Sequence, residues 1–313
     1  MNKNTFRNEL NNQTFGVEIE MNHIARDEAA RLASEFFGTG RYENTAYRNG
    51  YSTWSAWDAE GREWKFQKDV SINGPDAYKC EMVTPILKYK DMESLQELVR
   101  VLRHNGAVSN PNEGCGVHIH IGAKGHTPKT IRNLVNIMAG HETLIADALK
   151  ISTYRLGRWC KTVDPEFVKR INKEKPETME KLADVWYEAN GCPWGRNEHY
   201  NNSRYHMLNL HATFTKGTIE FRLFQFDNPT AERRGGLHAG QLKSYIQFCL
   251  ALSALAKNVK TASPKEQQKE NPKYAMRTWL LRLGFIGEEF KTARDILTRN
   301  LEGDAAFRHG RTA

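Results

Sequence analysis

Three short segments of this chain place metal-binding or anion-binding side chains at every second position. His118 and His120 alternate with Val117, Ile119 and Ile121; Glu18 and Glu20 alternate with Val17 and Ile19; Glu220 and Arg222 alternate with Ile219, Phe221 and Leu223. A β-strand shows successive side chains to opposite faces, so each segment would bury its apolar set and gather its polar set on the other side. An ordinary half-buried strand carries Thr, Ser or Lys there, whereas these carry only carboxylate, imidazole and guanidinium. Together they read as one charged sheet face built for a metal and an anion.

The ligand chemistry follows from spacing. Two carboxylates two residues apart on a strand lie roughly 6.5 to 7 Å apart, which suits two neighbouring ions better than one shared ion. With His118 or His120, Glu220 and Glu81 added, the face would hold several carboxylates and an imidazole, a costly concentration of charge unless divalent cations are present. Oxygen-rich ligation favours Mg²⁺ or Mn²⁺, since zinc sites lean on His and Cys. Mg²⁺ is commonly the partner of a nucleotide polyphosphate, and Arg222 would bring a guanidinium suited to a phosphoryl oxygen to the same face, with Arg204 a second candidate. Neither GxxxxGK[ST] nor a GxGxxG following a strand occurs, so a bound nucleotide would be held by metals and arginines. Singly, each pair has a plainer reading as a solvated strand face, a core histidine or a cross-strand ion pair. Their joint occurrence at matching parity is what carries the functional one.

Positioning such a face takes a sheet. Strands are expected over 14–21, 63–70, 80–87, 117–122, 205–214 and 218–226, the last two as a hairpin across Lys216 and Gly217, with Pro85 marking an edge or an ending strand. Helices are expected over 27–37, from Asp91 to about Gly106 with Leu95, Leu98, Val99 and Leu102 on one face, over 128–151, as two short polar helices within 164–190, and over 230–257, 274–283 and 288–301. Residues 38–61 and 191–203, rich in Gly, Asn, Tyr, Trp or His, read as loops. Adjacent strand pairs joined by short turns indicate an antiparallel sheet with segregated helices, hence an α+β domain over residues 12–258 and a helical C-terminal extension over 259–313.

Composition bounds the class. With 313 residues, 39% of them hydrophobic, the chain can bury a sizeable core. The formal charge of +8 is spread along the chain apart from knots at Lys169 to Lys175 and Arg308 to Arg311, which suits anionic substrates; together with the aromatic residues it also admits a nucleic-acid-binding module. Five cysteines at no CxxC spacing indicate neither a disulfide framework nor a zinc ribbon, and no apolar run approaches the ~18 residues needed to span a membrane. The expected setting is cytoplasmic.

The motifs FGVEIE at 15–20, Asp69 followed by CEMVTPIL at 80–87, GCGVHIHIG at 114–122 and NLHATFTKGTIEFRLF at 209–224 stand in the order found in the amidoligase family, which this chain resembles. These are carboxylate-amine ligases related to glutamine synthetase and glutamate-cysteine ligase. The resemblance implies a glutamine synthetase-like curved antiparallel sheet with helices on one face. It also implies ATP with Mg²⁺ or Mn²⁺, a carboxylate donor activated as an acyl phosphate, and an amine acceptor such as an amino acid, polyamine or peptide. By the same resemblance Glu18, Glu20, Glu81, His118 and Glu220 are metal ligands, His120 lies nearer the nucleotide phosphates, Arg222 clamps a phosphate, and Asp69 ligates metal or orients the amine. A competing reading is a zinc-dependent hydrolase in which Cys115, His118 and His120 hold one ion and Glu18 or Glu20 activates water.

Overall fold

The structure is a computed structural model that describes residues 3–228, 236–266 and 270–309. The expected helix start at Thr230, part of the linker before Pro272 and the end of the basic tail lie outside them. The chain divides into two compact units. The first comprises Thr14–Ile119 with Phe224–Lys243, and the second comprises Met1–Gln13, His120–Leu223 and Ser244–Ala313. Among the described residues nine strands run in chain order: β1 (Thr14–Met21), β2 (Tyr42–Asn44), β3 (Trp54–Trp57), β4 (Glu63–Gln67), β5 (Cys80–Val83), β6 (Leu87–Lys88), β7 (Val117–Gly122), β8 (Leu208–Asn209) and β9 (Thr218–Phe224).

The first unit is built on a large antiparallel sheet. Its strands follow the order β2-β3-β4-β5-β1 and then the opening residues of β7, with β6 also paired to β1. In β1 the alternation is clean: Phe15, Val17, Ile19 and Met21 are no more than 2% exposed, and the intervening Glu18 and Glu20 take the other face. Helices Arg26–Phe36 and Met92–His104 supply the covering layer. The second helix buries the expected stripe of Leu95, Leu98, Val99 and Leu102. Asp27 lies in the first turn of Arg26–Phe36, where a negative charge favours the helix dipole, while Ala25 occupies the cap position.

Two details of this unit differ from the sequence reading. Residues 38–61, expected as a loop, contain the antiparallel pair β2 and β3, with Tyr42 opposite Ala56 and Asn44 opposite Trp54. Strands of three and four residues are too short to show a period. Pro85, with no N–H to give a ladder, splits the expected 80–87 strand into β5 and β6.

In the second unit the order is the end of β7, then β9, then β8. The expected strand over 205–214 is only the two-residue β8 followed by the helix His211–Thr215. Asn209 causes the change, because its Oδ1 accepts the His211 N–H at 2.9 Å and turns the chain into a helix. β8 still pairs antiparallel with β9, setting Asn209 opposite Glu220. The expected 128–151 helix is two, Pro128–Ala139 and Glu142–Leu149, divided at Gly140. Helices Pro165–Glu174, Met179–Ala189, Pro272–Leu283 and Lys291–Thr298 also belong to this unit, and Phe6, Phe285 and Phe290 close a small aromatic core with ring centroids 5.1 to 6.3 Å apart.

Candidate functional site

In the first unit the antiparallel register of β1 and β5 sets Glu20 directly opposite Glu81, and that of β4 and β5 sets Gln67 opposite Glu81 on its other side. Both glutamates are only 5% exposed. Like charges directly across a sheet repel, so each carboxylate leans on a nearby donor. The Gly116 N–H donates to Glu20 Oε2 at 2.6 Å, and Gln67 Nε2 donates to Glu81 Oε2 at 2.7 Å. Glu18, two residues before Glu20, meets His118 of β7, with Nδ1 and Oε2 3.1 Å apart. Asp69 lies in the loop after β4, its Oδ1 accepting the Ser71 N–H at 2.6 Å.

These side chains form two interlocking triads. Glu18, Glu81 and His118 each offer a ligand atom within 4.8 Å of the others, and so do Glu20, Asp69 and Glu81. Glu81 belongs to both. Burial first, and then the charges of Glu18, Asp69 and Glu20, hold its carboxyl well above the usual carboxylate range against the opposing Gln67 hydrogen bond. A group pushed that way by surrounding anions is returned to its charged form by a cation among them. The donor set of oxygens with one imidazole fits Mg²⁺ or Mn²⁺, and the sharing of one carboxylate fits a pair of ions.

The second unit holds the Glu220 and Arg222 pair of β9. Glu220 and Arg222 point the same way from β9, as their spacing requires, and are 3% and 5% exposed. Arg222 Nη1 donates to Glu220 Oε1 at 2.6 Å, and Asn209 Nδ2 donates to Glu220 Oε2 at 2.6 Å. His120 Nδ1 lies 2.9 Å from Thr218 Oγ1, and its Nε2 lies 3.9 Å from Glu220 Oε1. Arg204 and Arg222 both approach the ring of Tyr205, at 5.7 and 5.8 Å from its centroid.

The residues singled out from sequence thus fall into these groups: Glu18, Glu20, Asp69, Glu81 and His118 in the first unit, and His120, Arg204, Glu220 and Arg222 in the second. Sequence reasoning missed Gln67, Gly116 and Asn209, which hold the carboxylates in place. Gln67 and Gly116 have no local signal, because strand register brings them to Glu81 and Glu20. Asn209 opens the motif that ends in Glu220 and Arg222, and its type alone would have allowed it as a side-chain donor. Cys115 is fully buried and belongs to none of the ligand groups found among the described residues, so the zinc arrangement with His118 and His120 gains no support. All five cysteines are free thiols.

Among the described residues no helix is long and apolar enough to cross a membrane. The sequence profile of a family described as "Putative amidoligase enzyme" matches residues 11–253. No curated protein matches the chain. Among solved structures, the crystal structure of a bifunctional glutathione synthetase from Pasteurella multocida is similar at 12% identity and a TM-score of 0.44, over 95% of this chain and 49% of that one. The chain therefore spans about half the length of that protein.

Proposed function

The chain belongs to the amidoligase family, and from that premise we propose that it is an ATP-dependent, ADP-forming ligase joining a carboxylate to an amine. The observation that carries the reading is the pair of triads meeting at Glu81, an arrangement of buried carboxylates that is unfavourable without divalent cations and suited to two of them. Glu18, Glu81 and His118 would hold one ion, and Glu20, Asp69 and Glu81 the other. Bound there, Mg²⁺ or Mn²⁺ supplies neutralisation of the triphosphate and of the charge on the transferred γ-phosphoryl group. We read the sheet of the first unit as the glutamine synthetase-like sheet that the sequence motifs imply.

The chemistry balances in two steps. The donor carboxylate attacks the γ-phosphorus of ATP and releases ADP, and the amine then attacks the acyl phosphate, releasing inorganic phosphate and a proton. The chain's own part is positioning and electrostatics. Arg222, fixed by Glu220, would present its guanidinium to a phosphoryl oxygen, and His120, fixed by Thr218, would orient beside it. Amino acid, polyamine and peptide acceptors all suit this scheme.

The test is ADP release with Mg²⁺, ATP and pooled amino acids and polyamines, run with hydroxylamine so that an activated carboxylate is trapped as a hydroxamate. ADP together with a hydroxamate supports the reading, and the mass of the adduct names the donor. Absence of Mg²⁺-dependent ATP binding would sink it.

A further inference from the structure

The second unit contains a cavity of about 230 Å³ between the loop 193–205 and the helix His211–Thr215. We propose that it is the subsite for the carboxylate of an amino-acid-sized substrate, with Arg204 as the group that binds the anion. Calling that ligand a substrate rests on the ligase reading; its binding does not.

Charge is the first argument. Arg204, Lys216 and His199 line the walls, and Glu220 is the lone carboxylate residue among the lining side chains. That carboxylate is already engaged through both oxygens, by Arg222 and by Asn209. With Glu220 so engaged, the guanidinium of Arg204 gives the cavity a cationic wall suited to an anion. Arg204 is built for it: Nη1 donates to the His199 carbonyl oxygen at 3.1 Å, the guanidinium lies 5.4 Å from the Tyr200 ring centroid, and no carboxylate of the described residues pairs with it. A guanidinium held this way offers its remaining donors to a carboxylate as a planar fork.

Size is the second. The volume falls below the ~300–1,000 Å³ typical of sites for drug-sized ligands, so it suits a molecule of amino-acid size. Sequence spacing alone offered Arg204 to a phosphoryl oxygen; the cavity gives it a smaller anion. Asn197 adds a neutral polar side chain to the lining.

The third is that the loop is held in place before any ligand arrives. His211 Nε2 lies 3.0 Å from the Glu198 carbonyl oxygen and Nδ1 lies 2.6 Å from the Tyr187 hydroxyl, so the tautomer that satisfies both donates from Nε2 and accepts from Tyr187. Burial, helped by the charges of Arg204 and Lys216 and opposed by the Glu198 carbonyl and Glu220, holds this imidazole below its ordinary value and therefore neutral. Asn201 Nδ2 donates to the carbonyls of Trp194 and Gly195 at 3.3 and 3.1 Å. Preorganisation of this kind lowers the entropic cost of binding a small ligand.

The experiment is calorimetric titration of the full chain with L-alanine, L-glutamate and L-alanyl-L-alanine, each against its C-terminal amide, alongside inorganic phosphate and Mg²⁺-ATP. At least one acid should bind about tenfold more tightly than its amide. Arg204→Gln should abolish that difference, and Arg204→Lys, which keeps the charge but not the fork, should reduce it, both with Mg²⁺-ATP affinity retained. An amide binding as tightly as its acid overturns the subsite, as does absence of binding by every acid. A loss of Mg²⁺-ATP or phosphate affinity in Arg204→Gln with the acids unaffected would also overturn it, since the arginine would then serve the nucleotide. Binding of an acid with no binding of Mg²⁺-ATP would leave the subsite standing and remove the ligase reading, so the two failures are distinct.

Discussion

Glu81 faces Glu20 across an antiparallel pair and is flanked by Glu18 and Asp69, so its charge is opposed by its own surroundings. Replacing it by Gln keeps an acceptor for the Gln67 amide and removes the repulsion. Glu81→Gln is therefore expected to stabilise the metal-free protein by on the order of 1 kcal/mol while weakening Mg²⁺ or Mn²⁺ binding at least about tenfold. Thermal melts with and without chelator, paired with calorimetric titration of Mn²⁺, check both halves; a variant that binds Mn²⁺ like wild type would show that the triads are not the metal site. Glu220 and Arg222 behave oppositely, because each is nearly fully buried and they neutralise one another. Arg222→Leu leaves a buried carboxylate without its guanidinium and should cost about 3–5 kcal/mol, and adding Glu220→Gln should recover a large part of that. Urea denaturation of the two variants measures the difference, and equal stabilities would mean that the pair is not coupled.

The acidic triads stand on strands β1, β5 and β7 and on the loop of Asp69, and that loop is joined to the one that enters β7. Asn73 N–H donates to the Glu113 carbonyl oxygen at 2.8 Å, tying the loop that carries Asp69 to the one that enters β7. Gly114 makes the close approach possible: its φ is +83°, and a Cβ there would come within 2.7 Å of the Ser71 carbonyl oxygen. Ser71 is the residue whose N–H holds Asp69. Gly114→Ala should thus cost about 1–3 kcal/mol and also weaken Mn²⁺ binding by displacing Asp69, although residue 114 is no ligand. Calorimetry on the variant separates this from a purely structural role, which would lower the melting temperature and leave the Mn²⁺ affinity as it was.

At the scale of the whole molecule, stability should depend on pH through a buried and a half-buried group of the second unit that act in opposite directions. Burial pushes the Glu142 carboxyl up to about 7, against a hydrogen bond from the Val163 N–H. With a folded value above the unfolded 4.5, its contribution is fully present below 4.5 and is lost as pH rises through 7, at most about 3 kcal/mol. Burial holds His126, beside the Ser253 hydroxyl, down at about 4. Its contribution is present above the unfolded 6.5 and is lost as pH falls through 4, about 2 kcal/mol after allowance for its partial exposure. Glu142→Gln should flatten the loss on the neutral side and His126→Asn the loss on the acid side, as read from urea melts across that range; unchanged profiles would dismiss these assignments. Alternation in β1, β7 and β9 was legible in the sequence because a period of two residues is local, and it identified the carboxylates, the imidazoles and the guanidinium together with the family whose motifs they form. The covering helix Met92–His104 was legible for the same reason, its leucines recurring at helical spacing. Short strands carry too few residues to show a period, which hid β2 and β3, and where a strand was expected the chain turns at Asn209, whose Oδ1 accepts the His211 N–H, into a short helix. Only the tertiary structure decided that Glu81 belongs to two triads, that Gln67 and Gly116 steady them, and that the 193–205 loop forms a cationic cavity. Strand register and loop packing join residues far apart in the chain, and no spacing within one segment encodes which partner another segment will bring.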